Sequence, residues 1–368
     1  MRQALIMTTA HSIEDTRVVG RQAVSISKVR PLVLFACHLD ARASPFGLST
    51  RIFPKKPGRA ARLKSVVRFV RASRSEDPSI AHLHDPELFL AAPILQRLGH
   101  KVIVDLHEDY PKQLIHHPGV PRFLRRPATK LVTQLIRSAA DAADHVIVAS
   151  PEIAETLGTS STVIYNYPPR HESGEPPSQA AYGARPTCVV SVGTNTVERA
   201  FLEIVDAAAS LASERQIRSV IAGPIFRSTA NEKADSVESA LIQFPGRLDR
   251  TEVQSLLDEA TVGLCLLHRS PQYEEARPTK LFEYMLAAIP IVGADFGPTA
   301  ELIEQIGCGI AVDPTDAGAI ARAVEYLHDN RDKAWEMGQR GRAAVTERWT
   351  WEVEEQKLQR VYDALELC

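Results

Sequence analysis

The sequence runs to 368 residues, 44% hydrophobic and 24% charged, long enough for two ordinary domains and too apolar for a disordered or fibrous chain. No stretch approaches the roughly 18 apolar residues of a membrane span, and the one apolar run in Met1–Ser12, "ALIM", is too short for a signal-peptide core. The net charge of −2 hides an asymmetry, because Met1 to Arg185 carries 25 Lys and Arg against 16 Asp and Glu, and the remainder 18 against 29. Halves of opposite sign imply two domains with different partners. Cys37, Cys188, Cys265, Cys308 and Cys368 show no paired metal-ligand spacing and read as reduced thiols of a cytosolic protein.

In chain order, short β-rich runs alternate with helical ones: "ALIMTT", then Glu14 to Lys28; "PLVLFAC", then Arg59 to Arg74; "IAHLHD", then Pro86 to Leu98. "KVIVDLH", "HVIVAS" and "TVIYNYP" continue the series, with a helix expected over Pro127 to Ala143. Strands that are nearly continuous apolar runs belong to a parallel sheet covered on both faces. Residues 168–186 are rich in Pro, Gly and Ser and read as a linker. The alternation then resumes with "CVVSVG", "SVIAGP", "VGLCLL", "PIVGAD" and "GIAVD". No short-period repeat is present, so a solenoid is excluded. The prediction is an α/β chain of two doubly wound Rossmann-like domains, 1–167 and 187–348, facing a cleft, with ligands beyond the carboxyl ends of the strands.

The stretch "EEARPTKLFEYMLAAIP", Glu274 to Pro290, is unusual. Pro278 suits a first helical position, which leaves Arg277 as a cap with no side-chain acceptor. The amides of Thr279 and Lys280 then point at whatever lies ahead, and Lys280 in the first turn completes an anion site. Glu283 lies one turn further in, and Glu275 precedes the helix. A phosphate flanked by hydroxyl-bearing groups, that is a sugar nucleotide, suits this arrangement, although charged residues at a helix start are more often simply solvated.

Several segments together resemble one family. "RPTKLFEYMLAAIPIVGAD" is similar to the donor-site signature of family 4 glycosyltransferases, which have the GT-B fold, and Glu275 and Glu283 match that family's E-x7-E spacing. "HLHDPELFLAAPILQRLGHKVIVDLHEDYP", "VIYNYP", "IGCGIAVDPTDAGAIARAVEYL" and "RGRAAVTERWTWEVEEQKLQRVY" resemble further family segments in the same order, so the likeness spans nearly the whole chain. It implies that the last helix, 349–368, returns to the N-terminal domain.

By this resemblance Glu283 binds the ribose hydroxyls, while Lys280 with the amides of Thr279 and Leu281 holds the diphosphate. Arg199, after Gly193 in "VGTNTVERAF", is the second phosphate ligand, and Glu275 meets the transferred sugar. A planar guanidinium suits phosphate oxygens, and a cation in a helix's first turn, where Arg199 is expected, is otherwise disfavoured. His107 in "HEDYP" stands where the family has a histidine near the donor sugar; a strand-end histidine is otherwise often a packed or capping group, but this context favours the functional reading. Asp85 reads as the cap of a helix starting at Pro86. His11, Asp15 and Arg17 match an H-x-x-D-x-R opening, but the glycine-rich loop frequent there is missing between Met1 and Val19, so these three stay open between acceptor-side and structural roles. Ala288 replaces a usual glycine.

The resemblance implies a retaining enzyme whose leaving diphosphate is stabilised by fixed positive groups rather than a metal; no D-x-D motif is present, and no cofactor beyond the nucleotide-sugar substrate is expected. The acceptor is expected to be a glycan, a glycolipid or a polyprenyl-linked sugar in surface polysaccharide synthesis. Arg51 to Arg74 holds nine Lys and Arg and no acid, with Leu63, Val66, Val67 and Val70 on one predicted helix face and Lys64, Arg68 and Arg71 on another. It reads equally as an anionic-membrane surface or a solvated face, and Arg122 to Arg137 adds a second basic patch. The expected location is cytoplasmic, with the inner membrane face as candidate docking place. Nucleic acid is disfavoured, since no aromatic platform is interleaved with the basic residues. A sugar-nucleotide epimerase of similar fold and a non-catalytic sugar-nucleotide-binding protein remain alternatives.

Overall fold

The computed structural model describes residues 1–38, 44, 46–54, 59–77, 79–111, 114, 120–226, 228–271 and 273–367; Cys368 and residues 55–58 of the basic stretch lie outside them. Two units divide the chain, one made of Met1–Asn166 with Trp351–Cys368, the other of Tyr167–Thr350.

Unit 1 is a seven-stranded parallel sheet in the order β3-β2-β1-β4-β5-β6-β7. Its strands are β1 (Ala4–Thr8), β2 (Leu32–His38), β3 (Thr50–Pro54), β4 (Ile80–Leu83), β5 (Lys101–Leu106), β6 (His145–Val148) and β7 (Thr162–Val163). The central strands β1 and β4 are buried along their whole length and β5 from Val102 on, as continuous apolar runs must be between two helical layers. β3 escaped the sequence reading because it is a half-exposed edge strand ending in Pro54. The helix expected over Pro86 to Leu98 is two short ones, Pro86–Phe89 and Ala92–Arg97.

Helix α1 (Arg59–Ser73) corrects the expected apolar stripe: Val66 and Phe69 enter the core, while Leu63 and Val67 are 49% and 59% exposed beside the exposed Lys64, Arg68 and Arg71. Helix α2 (Arg122–Ala142) starts five residues before the expected Pro127, which sits inside it. The last helix, which follows unit 2 in sequence, packs Trp351, Leu358, Val361, Tyr362 and Leu365 into the same core as β1 and β2.

Unit 2 is a six-stranded parallel sheet, β10-β9-β8-β11-β12-β13, formed by β8 (Cys188–Val192), β9 (Arg218–Ala222), β10 (Ile242–Gln243), β11 (Val262–Cys265), β12 (Ile291–Ala294) and β13 (Gly309–Val312). The two-residue β10 carried too short a pattern to read. The expected linker is folded into this unit: Gln179–Ala184 is helical, Ser178 accepts from the Ala181 amide, and the buried Tyr182 hydroxyl donates to the Thr261 carbonyl at 2.7 Å.

Candidate active site

In both sheets the chain reverses direction of travel beside the first strand, between β1 and β4 in unit 1 and between β8 and β11 in unit 2. Such switch points open a crevice at the carboxyl ends of the strands. The predicted site residues fall into two groups, one at each switch point.

In unit 2 the edge is shaped by backbone. Gly193 and Gly223 have φ of +125° and +126°, and the Gly193 amide donates to the Ala222 carbonyl at 3.0 Å. A Cβ on Gly223 would lie 1.7 Å from the Gly193 carbonyl oxygen, so only glycine lets these strand ends meet. Gly193 also lies beside the Arg199 guanidinium, whose Nη1 would be 3.9 Å from a Cβ there. Arg199 is not in a helix's first turn: it ends a 3-10 turn, Val197–Arg199, and helix α3 (Phe201–Arg215) follows Ala200, which adopts φ +53°. The dipole therefore does not oppose its charge there.

Helix α4 (Arg250–Glu259) carries Arg250 at its start. Helix α5 (Thr279–Leu286) begins one residue later than expected, with Pro278 as its cap, and no side chain accepts its first amides. Its other end is tied down: the Leu286 carbonyl accepts from Ser173 Oγ at 2.9 Å and from the Arg342 guanidinium at 2.5 Å. A ring of Tyr284 lies where Gly263 would carry a Cβ, at 2.5 Å, so β11 and α5 pack backbone to ring. The Tyr284 hydroxyl accepts from the Val192 amide at 2.9 Å, linking the helix to the end of β8. The result is a rigid helix with its N-terminus open, a ready anion site.

Lys280 projects from that first turn and is buried. Burial, with the Arg199 charge added to it, lowers its pKa to about 8. A buried ammonium close to a guanidinium is stabilised by an anion placed between them. Leu281 is fully buried and anchors the helix, while Thr279 is half-buried. Glu283 is held by a residue the sequence reading did not single out: Arg250 Nη1 donates to its Oε1 at 2.9 Å, and the same guanidinium pairs with Glu172. This fixes one carboxylate oxygen and leaves Oε2 to accept from a ligand. Glu275 is exposed in the turn before α5. Gly297 (φ +60°) allows that turn to approach, since a Cβ there would lie 2.3 Å from the Glu274 carbonyl oxygen. Ala288 adopts φ +55°, a conformation a glycine would hold without strain.

In unit 1 the edge is shaped by side chains. The segment after β1 forms a π-helix, Thr16–Ala23, because the Asp15 carbonyl accepts from Gly20 at 2.9 Å and the Asp15 carboxylate takes the Arg17 and Val18 amides. This wide turn aims Arg17 and Gln22 at Asp105 of β5, at 3.4 and 2.8 Å. Asp105 is fully buried, and the Arg17 guanidinium first, then His82 and His84, hold its carboxyl well below the usual range. Burial keeps His84 neutral. Ligand atoms of His82, His84 and Asp105 lie within 4.8 Å of one another. Arg17 already neutralises this carboxylate, and a divalent cation here would add two positive charges beside a buried guanidinium.

Asp85 is corrected: its carboxylate does not cap the helix at Pro86. It instead accepts from the Thr8 hydroxyl at 2.8 Å and the Thr9 amide at 2.6 Å, fastening the loop after β1 to the end of β4. That loop brings His11 to His107, Nε2 to Nε2 at 2.9 Å, while His11 Nδ1 lies 2.9 Å from Asp15 Oδ2. Of the three residues left open, Arg17 is interior to unit 1 and His11 and Asp15 line its edge.

Solved structures share the fold. The HepE protein of Anabaena, in complex with UDP and glucose, superposes with a TM-score of 0.74 at 14% identity over 99% of this chain and 100% of that one. Sucrose-phosphate synthase from Thermosynechococcus elongatus gives 0.72 at 15% identity, covering 100% of both. The two sheets with their flanking helices are a GT-B fold. Two family models together cover most of the chain: one described as glycosyl transferases group 1 matches 179–344, and one described as a glycosyl transferase 4-like domain matches 27–163. The chain belongs to the family 4 type of glycosyltransferases. Among curated proteins, a GDP-mannose-dependent alpha-(1-6)-phosphatidylinositol monomannoside mannosyltransferase of Mycobacterium tuberculosis is 33% identical over 76 residues, 21% of this chain and 20% of that protein. The matched stretch is thus about a fifth of that relative's length.

Proposed function

We propose that the chain is a retaining glycosyltransferase that moves a sugar from a nucleoside-diphosphate sugar to a glycan, glycolipid or polyprenyl-linked acceptor in surface polysaccharide synthesis. The observation that carries this reading is the start of α5, where uncapped amides, the buried Lys280 and the neighbouring Arg199 converge at a sheet switch point. Breaking the bond between sugar and phosphate builds negative charge on the leaving diphosphate, and preorganised positive groups stabilise it. Glu283 accepts from the ribose hydroxyls through the oxygen Arg250 leaves open. His107 and Glu275 are assigned to the transferred sugar.

Lys280, Arg199 and the helix amides supply the charge that a metal supplies in other transferases, so transfer is proposed to survive chelation by EDTA. The exposed Leu63 and Val67 beside Lys64, Arg68 and Arg71 support docking of α1 on an anionic membrane. No described helix is long and apolar enough to cross a membrane.

The base of the donor is tested directly. UDP, GDP and ADP sugars are screened by thermal shift, since a ligand at 100 times its Kd stabilises the fold by about 2.7 kcal/mol. The expected result is a raised Tm with one base and release of that nucleoside diphosphate when an acceptor is added. No shift with any of the three would contradict the assignment.

A further inference from the structure

Two imidazole nitrogens 2.9 Å apart cannot both carry a proton, nor can both be bare, so the His11–His107 contact holds one proton between two rings. The other side of His11 decides where that proton rests. The Asp15 carboxylate is pinned by the Arg17 and Val18 amides and can only accept, so His11 Nδ1 must donate to it. A second carboxylate, Asp85, lies 3.6 Å from His11 Nε2. His107 faces the opposite balance: Arg17 from the π-helix, His84 from the end of β4 and His11 itself surround it, against Asp105 and Asp85. The T-shaped stack of the two rings, with centroids 4.7 Å apart, fixes their orientation.

We infer that Asp15, His11 and His107 form a proton-sharing chain in which His11 is the imidazolium and His107 is the neutral acceptor. His11 is thus a positioning residue: it sets the tautomer and the orientation of the ring that the proposed reaction uses, which is the point at which this inference rests on that reading. The directions of titration agree. His11 lies above its ordinary value, because hydrogen bonding to Asp15 and the Asp85, Asp15 and Glu108 charges outweigh its burial. His107 lies below, through burial first and then Arg17 and His11, with Asp105 and Asp85 acting in the other sense. A group raised by its partners holds its proton to higher pH than a free imidazole, and one lowered by its neighbours takes a proton only at lower pH. These directions place the pair's one positive charge on His11.

Long-range proton–nitrogen spectra of the full chain labelled at histidine, recorded from pH 5 to 9, test this. At pH 7 the wild type should show His11 protonated on both nitrogens and His107 on Nδ1 only. In His11→Asn the His107 midpoint should move up, and the acid limb of any transfer activity should move up with it. Asp15→Asn keeps the oxygen that caps the π-helix but turns a donor toward His11, so the His11 midpoint should fall; this variant preserves the test if His11→Asn does not fold. A His107 midpoint unchanged in His11→Asn, or a wild-type His107 protonated on Nε2 at pH 7, overturns the chain. Absence of sugar transfer by the wild type would count against the proposed function and leave the titration result standing.

Discussion

The two sheet ends do similar jobs with different materials. In unit 2 the edge is backbone: glycines at positive φ, an open helix start, and two cations, Lys280 from the first turn of α5 and Arg199 from the turn before α3. In unit 1 it is side chains from three separated segments, tied by carboxylates that each hold two or more partners. Backbone sites depend on a few glycines and tolerate their surroundings, whereas side-chain networks depend on charge balance. The first should break when space is taken away and the second when charge is moved.

The largest effect is expected at Gly223→Ala. Both the left-handed φ and the Gly193 carbonyl oppose a methyl group there, and the cost should be about 3 kcal/mol or more in a denaturant titration. Gly158 of unit 1 shares a positive φ of 69° but has nothing within 4 Å, so Gly158→Ala should cost only about 1 kcal/mol. Equal losses would remove the steric basis of the comparison.

A smaller change should follow from Glu283→Ala. Losing a charged acceptor should weaken nucleoside diphosphate binding by about 1.5–3 kcal/mol, while competition by inorganic pyrophosphate stays at the wild-type level. If pyrophosphate weakens equally, Glu283 faces the phosphates and not the ribose.

Next is pH. The unliganded Lys280 titrates at about 8, and a bound diphosphate raises that value. Affinity is therefore full below pH 8 and falls about tenfold per unit above it, until the raised bound-state pKa is reached. Fluorescence titrations at pH 7 and 9 check the slope, and the same pair of measurements on Arg250→Ala should show it intact. A flat profile in the wild type would mean that Lys280 does not meet the anion.

The smallest effect belongs to the membrane. Changing Lys64, Arg68 and Arg71 together to glutamate should abolish sedimentation with phosphatidylglycerol vesicles, each charge contributing about 1 kcal/mol near the surface, without altering donor affinity. Binding should fade between about 0.1 M and 1 M salt as the Debye length falls from roughly 10 Å to roughly 3 Å. A wild type that ignores these vesicles at low salt makes the outer face of α1 a solvated one.

The same contrast explains what could be read from the sequence. The two strand–helix series were legible because buried parallel strands are continuous apolar words. The α5 start was legible because Pro278, Lys280 and Glu283 sit within six residues of one another. The hold of Arg250 on Glu283 was not, since the two are 33 residues apart and both look like ordinary surface charges. His11 and His107 are 96 residues apart, and only the β1–β4–β5 register brings them into contact. Asp85 was misread because Asp before Pro is a common helix opening, and local pattern gave no sign of the Thr8 and Thr9 donors waiting at the end of β1.

The central claim is that cationic side chains and helix amides hold the donor's diphosphate. Calorimetric titration of UDP and GDP into the wild type and Lys280→Ala, both at pH 7 in EDTA, tests it most directly. The account predicts clear binding of one nucleotide to the wild type and about 100-fold weaker binding to the variant, the loss of about 2.7 kcal/mol that goes with a buried charge-assisted contact. Equal affinity in the two proteins, or wild-type binding that appears only when magnesium or manganese is restored, would contradict it.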